Sequence, residues 1–177
     1  MSRYEGIGEF REKYIPYNEI IKMADLKDDD IIIDMGAGDG FYSLLFSDYI
    51  KNGIIYSVEK NPEAVELINK KIGDIKNIRV VNEDMCGLKI KNFNKIFFST
   101  VFHDIKCRED VINFIKNNSK KPLTAILIEF KKNSIRGPPA GIRIDHNKLK
   151  NIFESSGFTL KYHEDFQYNY ADIYVLN

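Results

Sequence analysis

The residues of this chain that most clearly suit a functional site form an acidic, glycine-rich stretch, Asp34-Met-Gly-Ala-Gly-Asp-Gly40. Three consecutive isoleucines precede it, and apolar β-branched residues on both faces are typical of a strand buried in a parallel sheet. A segment with helical spacing follows. Glycine lets the backbone approach a ligand closely, and a helix N-terminus presents N–H groups. The stretch therefore predicts a small-ligand site on a strand, a turn and a helix.

The spacing of the glycines distinguishes two kinds of ligand. A dinucleotide-binding turn follows G-x-G-x-x-G, whose third glycine allows close helix–strand packing. Gly36 and Gly38 fit, but Phe41 occupies the third position and Gly40 comes one residue early. The pattern is instead D-x-G-x-G-x-G. An NAD-binding oxidoreductase of the same fold class is an alternative that this spacing disfavours.

Two further acidic residues follow predicted strands. Glu59 ends the second strand about 19 residues after Gly40, where an acidic side chain accepts hydrogen bonds from ribose hydroxyls. Asp84 follows the third strand with Met85 beside it, and Glu83 is the alternative acid there. Both acids are expected at the ligand-binding edge of the sheet.

One of the three histidines is a candidate catalytic residue. His103 follows the fourth strand, and an unperturbed imidazole suits a general base near neutral pH. A packing or hydrogen-bonding histidine is an equally weighted alternative. Asp104 is expected to cap the next helix, with orienting His103 as its other reading. His146 and His163 are expected to be exposed, and no metal site is expected.

Strands alternate with helices five times, which predicts a doubly wound, mostly parallel α/β sheet of seven strands. The last two strands, 158–163 and 171–176, follow one another closely, so an antiparallel strand is predicted at the sheet edge. We predict one domain over residues 1–177, with an N-terminal helical cap at 1–27 and the sheet-bearing core at 28–177. The ligand should lie where the strand order reverses.

The net charge and the apolar content of the chain indicate which kinds of partner to expect. The 26 basic and 26 acidic side chains cancel, which gives no overall attraction to a phosphate backbone and makes nucleic acid an unlikely partner. The absence of a long apolar run and of a signal-peptide pattern predicts a cytoplasmic protein without membrane contact. Cys86 and Cys107 lack the spacing of a disulfide framework or zinc site and are expected to be buried, inert thiols.

The motif at Asp34, Gly36, Gly38 and Gly40 resembles the first motif of class I S-adenosylmethionine-dependent methyltransferases. The resemblance spans roughly residues 10–165. An F-H-D-I segment after the fourth strand and a G-P-P loop after the fifth place it nearest the ubiquinone/menaquinone C-methyltransferase-like "type 11" small-molecule branch. It implies a Rossmann-like methyltransferase fold and S-adenosylmethionine as cofactor, released as S-adenosylhomocysteine.

The resemblance also implies site residues. His103 is the expected catalytic residue. Tyr14 and Tyr17, in the segment before the first strand, could both fold over the cofactor; Tyr14 is the favoured contact, because helix packing is at least as likely for Tyr17. The implied cofactor-binding residues are Tyr14, Asp34, Met35, Gly36, Ala37, Gly38, Gly40, Glu59, Lys60, Asp84, Met85, Ser99 and Thr100.

The implied reaction is methyl transfer to a small-molecule acceptor. The segment Arg136-Gly-Pro-Pro139 is not the N/D-P-P-Y motif of amino-methylating nucleic-acid enzymes, which belongs after strand four, where this chain has Ser99-Thr-Val-Phe102. Nucleic-acid N-methylation therefore loses support. A non-catalytic cofactor-binding or regulatory module is the alternative from another class.

Overall fold

The computed structural model describes residues 14–177, which contain one seven-stranded sheet in the order β3-β2-β1-β4-β5-β7-β6. All neighbours are parallel except that β7 runs antiparallel to both β5 and β6. The predicted fold is confirmed, although the antiparallel strand lies one place inside the edge. The strands are β1 Ile31–Met35, β2 Ile54–Val58, β3 Ile78–Val81, β4 Phe93–Ser99, β5 Ser119–Phe130, β6 Thr159–Asp165 and β7 Asn169–Leu176.

Helices cover both faces of this sheet. The helices are α1 Tyr17–Ala24, α2 Phe41–Ser47, α3 Pro62–Ile72, α4 Arg108–Asn118 and α5 His146–Ser155. Apolar residues of α1 and α2 form one buried cluster with one face of the sheet, and those of α4 and α5 form a second cluster with the other. Residues 1–13 of the predicted cap lie outside the described residues.

Local sequence sets the helix starts. Asn61 accepts a hydrogen bond from the Glu63 amide and is followed by Pro62, so α3 begins with a cap and a residue whose fixed φ suits the first turn. Asp145 caps α5 through the amide of Lys148. Between residues 14 and 177, no helix has both the length and the apolar character that a bilayer span requires.

The strand order reverses between β1 and β4. Chain crossings run toward β2 and β3 on one side of this point and toward β5 on the other, which leaves a crevice at the carboxyl ends of β1 and β4. The glycine turn after β1 and the segment after β4 border that crevice.

Candidate active site

The glycine turn at the end of β1 has a backbone that favours glycine. Gly36, Gly38 and Gly40 have φ values of +72°, +60° and +78°, in the left-handed region. The amides of Gly36 and Ala37 both donate to the Val58 carbonyl at 2.9 Å. The turn is thereby held on the end of β2.

The three glycines face different surroundings. A Cβ on Gly36 would lie 2.7 Å from a methyl group of Val101, and one on Gly40 would lie 3.1 Å from Ile68. A Cβ on Gly38 would meet no atom within 4 Å among the described residues. Gly36 and Gly40 therefore permit packing, whereas Gly38 presents bare backbone to open space, as a ligand-binding turn requires.

This difference predicts separate effects of alanine at two glycines. Gly38→Ala should lower the affinity for S-adenosylhomocysteine, the product that the sequence resemblance implies, at least about tenfold, because its Cβ would enter the open space predicted to hold the ligand. It should cost only about 1 kcal/mol of stability, the strain of a left-handed backbone. Gly36→Ala should lower the melting temperature by several degrees more than Gly38→Ala does, because the new Cβ would collide with Val101. Calorimetric titration and thermal melts measure both, and equal melting temperatures in the two variants would contradict this division.

Asp34 and Asp39 connect the glycine turn to the neighbouring helices. Asp34 is 2% exposed, and its Oδ2 accepts the Ser43 hydroxyl at 2.6 Å, which ties β1 to α2. Asp39, which the sequence prediction did not include, pairs with Lys71 of α3 at 2.8 Å. Its position between two of the glycines was the available signal. The turn is thus fixed to both flanking helices.

Glu59 connects the turn to the end of β2. Its Oε2 accepts the Gly38 amide and its Oε1 accepts the Asn61 amide, each at 2.9 Å. The carboxylate therefore lies at the amide side of Gly38, next to the open space on its Cβ side. This is the strand end at which a ribose-binding acid was predicted.

Asp84 lies beside it at the end of β3. Its Oδ1 accepts the Cys86 amide at 3.0 Å, and its Oδ2 lies 3.4 Å from the Lys60 ammonium. The amide hydrogen bond, followed by the Lys60 charge, lowers the pKa of Asp84 below its usual value. Met85 is half-buried in the adjacent 3₁₀ turn, 85–87, and Glu83 is exposed.

The cysteine prediction is wrong. Cys86 and Cys107 form a disulfide, with 6.0 Å between their Cα atoms, and neither residue is buried. Their separation of 21 residues hid a short distance in space, since the 3₁₀ turn after β3 contacts α4, which begins directly after Cys107. The bond ties the Asp84 loop to the start of α4.

Removing this disulfide should destabilise the chain measurably. A cross-link closing a loop of this size contributes about 3 kcal/mol through the unfolded state. Replacing both Cys86 and Cys107 by serine should therefore lower the melting temperature by roughly 6–12 °C. The comparison is a thermal melt of oxidised protein and variant, with reduced wild type as a second arm. If the serine variant and oxidised wild type had the same melting temperature, the disulfide would not be present in solution.

The segment after β4 is strained. Thr100 has φ +54°, which is unusual for a β-branched residue, and its amide donates to the Ile128 carbonyl at 2.7 Å. Val101, the next residue, contacts Gly36. Ser99 and Thr100, both predicted cofactor contacts, therefore lie across the crevice from the glycine turn. Such strain concentrates at functional sites.

His103 is buried and contacts the carboxylate of Glu129, a fully buried residue that was not predicted from the sequence. Its Nδ1 lies 2.7 Å from Glu129 Oε2 and its amide donates to Oε1 at 3.1 Å. Burial lowers the pKa of His103, but the hydrogen bond and charge of Glu129, with the charge of Asp104, outweigh it and raise that pKa above its usual value. An acid within the apolar strand 124–130 was the available signal.

A basic cleft opens beside His103. It has a volume of about 380 Å³ and is bordered by the start of α4, the loop 131–145 and the start of α5. Its charged residues besides His103 are Arg108, Lys132, Arg143, Lys148 and Asp145. The Arg143 side chain is fixed by backbone carbonyls, including that of Pro138 at 2.7 Å. Four cations and one acid give a local excess of positive charge.

Tyr14 contacts an aromatic residue of the last hairpin. Its ring meets the Tyr168 ring edge to face, with centroids 5.0 Å apart, at the loop between β6 and β7. A contact between Tyr14 and the cofactor remains a prediction.

The comparisons with known proteins identify the family. The TRM5/TYW2 methyltransferase domain matches residues 15–120, more than half of the chain. The chain belongs to this family, within the class I S-adenosylmethionine-dependent methyltransferases, and S-adenosylmethionine is its cofactor. The dinucleotide alternative is thereby excluded. The finer prediction of the type 11 branch is not confirmed.

Relatives and solved structures agree with the family. Ribosomal RNA small subunit methyltransferase A of Natranaerobius thermophilus is 23% identical over 95 residues, covering 54% of this chain and 31% of that protein. The tRNA(Phe) (4-demethylwyosine(37)-C(7)) aminocarboxypropyltransferase of Methanocaldococcus jannaschii is 24% identical over 93 residues, covering 51% and 37%. A crystal structure of an S-adenosylmethionine-dependent methyltransferase from Aquifex aeolicus shares the fold, with TM-score 0.89, 19% identity and 100% of both chains covered.

These relatives overturn the predicted partner. Six of the seven curated relatives compared carry names of rRNA or tRNA enzymes, against the expectation of a small-molecule acceptor with nucleic acid unlikely. The chain spans less than half the length of each. The prediction failed because zero net charge averages over the whole surface and hides the basic cleft.

Proposed function

We propose that the chain transfers the methyl group of S-adenosylmethionine to a base of an RNA. The main support for this proposal is the basic cleft beside His103, which is lined by four cationic side chains and one carboxylate. Phosphate contacts supply much of the affinity of RNA-binding proteins. The names of the relatives support the same acceptor class.

The positions of the charged groups suit both reactants. Asp34 and Glu59 lie at the ends of β1 and β2, where a cofactor with a sulfonium and an amino group would be favoured, whereas Asp39 and Asp84 are paired with Lys71 and Lys60. The basic residues lie at α4 and the loop after β5. A cationic cofactor and an anionic acceptor would thus approach the reaction centre from opposite sides.

The residues around the glycine turn fit the cofactor. The open space at Gly38 admits its methionine and ribose portions, Glu59 would accept the ribose hydroxyls, and Asp84 with Met85 would hold the adenine. The remaining proposed contacts, in the turn and after β2 and β4, are Met35, Ala37, Lys60, Ser99 and Thr100.

The bound cofactor supplies a methyl group on a sulfonium, whose carbon–sulfur bond breaks as the acceptor atom attacks. Glu129 favours the proton on Nδ1 of His103, which leaves Nε2 as the basic nitrogen that takes the acceptor proton. Lys132 and Lys148 would bind phosphates and so align the base, and alignment supplies a large share of the rate.

The acceptor class is tested by label transfer from tritiated S-adenosylmethionine. Unmodified tRNA and rRNA transcripts and a small-molecule fraction are offered to wild type. Lys132→Glu with Lys148→Glu should lower kcat/KM for RNA at least about tenfold, because phosphate contacts are reversed in sign. Lys51→Glu with Lys76→Glu, in a second basic cleft formed by other residues, makes the same charge change and should stay within about twofold. Label in small molecules alone, or equal loss in both variants, would refute the proposal.

One relative names a second reaction of the same cofactor. The Methanocaldococcus jannaschii enzyme is an aminocarboxypropyltransferase. Transfer of that group breaks the bond between sulfur and the γ-carbon of the methionine portion and releases methylthioadenosine, whereas methyl transfer releases S-adenosylhomocysteine. Chromatography of the nucleoside product separates the two reactions, and we expect S-adenosylhomocysteine.

A further inference from the structure

His146, His163 and Asp172 meet at a point that the methyl-transfer site does not use. His146 is the first residue of α5, His163 lies in β6, and Asp172 lies directly opposite His163 in β7. The two histidines were expected to be exposed, but their side chains are only 27% and 30% exposed, and the Asp172 side chain is fully buried. We propose that these three side chains bind a divalent transition metal ion.

The distances among the three side chains suit a metal. Asp172 Oδ1 lies 2.6 Å from His163 Nδ1, and Asp172 Oδ2 lies 3.0 Å from His146 Nδ1. One ligand atom from each residue lies within 4.8 Å of the others. Tetrahedral zinc with bonds of 2.0–2.1 Å separates neighbouring ligand atoms by about 3.3 Å. Small movements of the two imidazole rings would therefore admit the ion.

The surroundings supply outer contacts of the kind that metal ligands use. The Tyr174 hydroxyl donates to Asp172 Oδ2 at 2.8 Å, and Asp165 Oδ2 lies 3.8 Å from the other ring nitrogen of His163. Metal-binding histidines commonly present that second nitrogen to a carboxylate, which fixes the ring orientation. The Tyr174 hydroxyl thus supplies one outer contact, and Asp165 lies near His163 at a distance longer than a hydrogen bond.

The charge around the cluster also favours a cation. The fully buried Asp172 meets two imidazoles, which are neutral when they ligate a metal. A divalent ion would compensate this carboxylate at the place where both rings already converge.

The donor set indicates which ions fit. Two imidazoles and one carboxylate suit zinc, iron(II) and their first-row neighbours rather than magnesium or calcium. Three protein ligands leave a coordination position for water, and the partial exposure of both histidines provides access. The ion would join the start of α5, which borders the basic cleft, to the β6–β7 hairpin.

The test uses cobalt(II) and zinc on oxidised protein that carries no polyhistidine tag. The chain has three histidines in all, so His103→Gln is a matched control that removes the remaining one. Wild type and His103→Gln should bind one ion per chain and gain roughly 5–10 °C in melting temperature at a hundredfold excess over Kd. His146→Ala and His163→Ala should lose at least about 100-fold in affinity.

Two further readouts make the result independent of variant folding. In wild type, zinc should shift the imidazole nitrogen resonances of two histidines and leave the third unchanged. Cobalt should give visible bands without thiolate charge transfer, and serine at Cys86 and Cys107 should not alter them. No uptake by wild type, or wild-type affinity in His146→Ala and His163→Ala, would overturn the proposal.

Discussion

His103→Gln is expected to lower kcat by about 10²–10⁴-fold, the range that a positioned general base contributes. Affinity for S-adenosylhomocysteine should stay within about threefold, because His103 lies beyond the glycine turn on the side of the basic cleft. Single-turnover label transfer and calorimetric titration measure the two quantities. An unchanged kcat would show that His103 is a packing residue, the alternative that its burial equally allowed.

The pH dependence separates a base from a merely structural histidine. Because Glu129 and Asp104 raise the pKa of His103, the wild-type rate should rise with pH and level off only above the usual histidine range. Glu129→Gln removes the largest raising influence, so the rising limb should move to lower pH. Asp104→Asn should move it the same way by less. A limb that stays in place in Glu129→Gln would exclude His103 as the titrating base.

Glu59→Ala is expected to weaken S-adenosylhomocysteine binding about 100-fold. Two hydrogen bonds from ribose hydroxyls to one carboxylate contribute together about 3 kcal/mol, which corresponds to this factor. The variant also removes the acceptor of the Gly38 and Asn61 amides, so a small loss of stability should accompany it. Calorimetric titration measures the affinity and thermal melts the stability.

Glu66→Ala is the matched control for this variant. Glu66 is an exposed acid on α3, so its removal changes the net charge equally and should leave affinity within about twofold. Glu59→Gln keeps one acceptor oxygen and should fall between wild type and Glu59→Ala. Wild-type affinity in Glu59→Ala would remove the basis for the cofactor site proposed on β2.

The sequence was sufficient for the sheet and for the edge that carries the site. The spacing of apolar residues is a local signal, so it predicted the strands and helices. The turn at 36–40 was predictable because each of its three positions with positive φ is a glycine, and these glycines are visible in the sequence. The strand-end acids Glu59 and Asp84 followed from the same spacing. The seven-stranded fold predicted from local signals is confirmed by the observed sheet and by a solved structure with the same fold.

Long-range pairings escaped the prediction. Glu129 meets His103 across 26 residues, and Cys86 bonds to Cys107 across 21, so neither pairing has a periodic signature. The antiparallel strand β7 inserts between β5 and β6, which brings Asp172 opposite His163. The basic cleft combines residues from three elements, and net charge gave no indication of it.

A crystal structure with S-adenosylhomocysteine bound would show directly whether the cofactor lies between the glycine turn and the basic cleft. We expect the ribose on Glu59, backbone contacts at Gly38, and the sulfur facing the space between Thr100 and the cleft beside His103. The bound ligand should leave the basic cleft open for an acceptor. A ligand bound elsewhere, or a sulfur turned away from His103 and the cleft, would contradict the account.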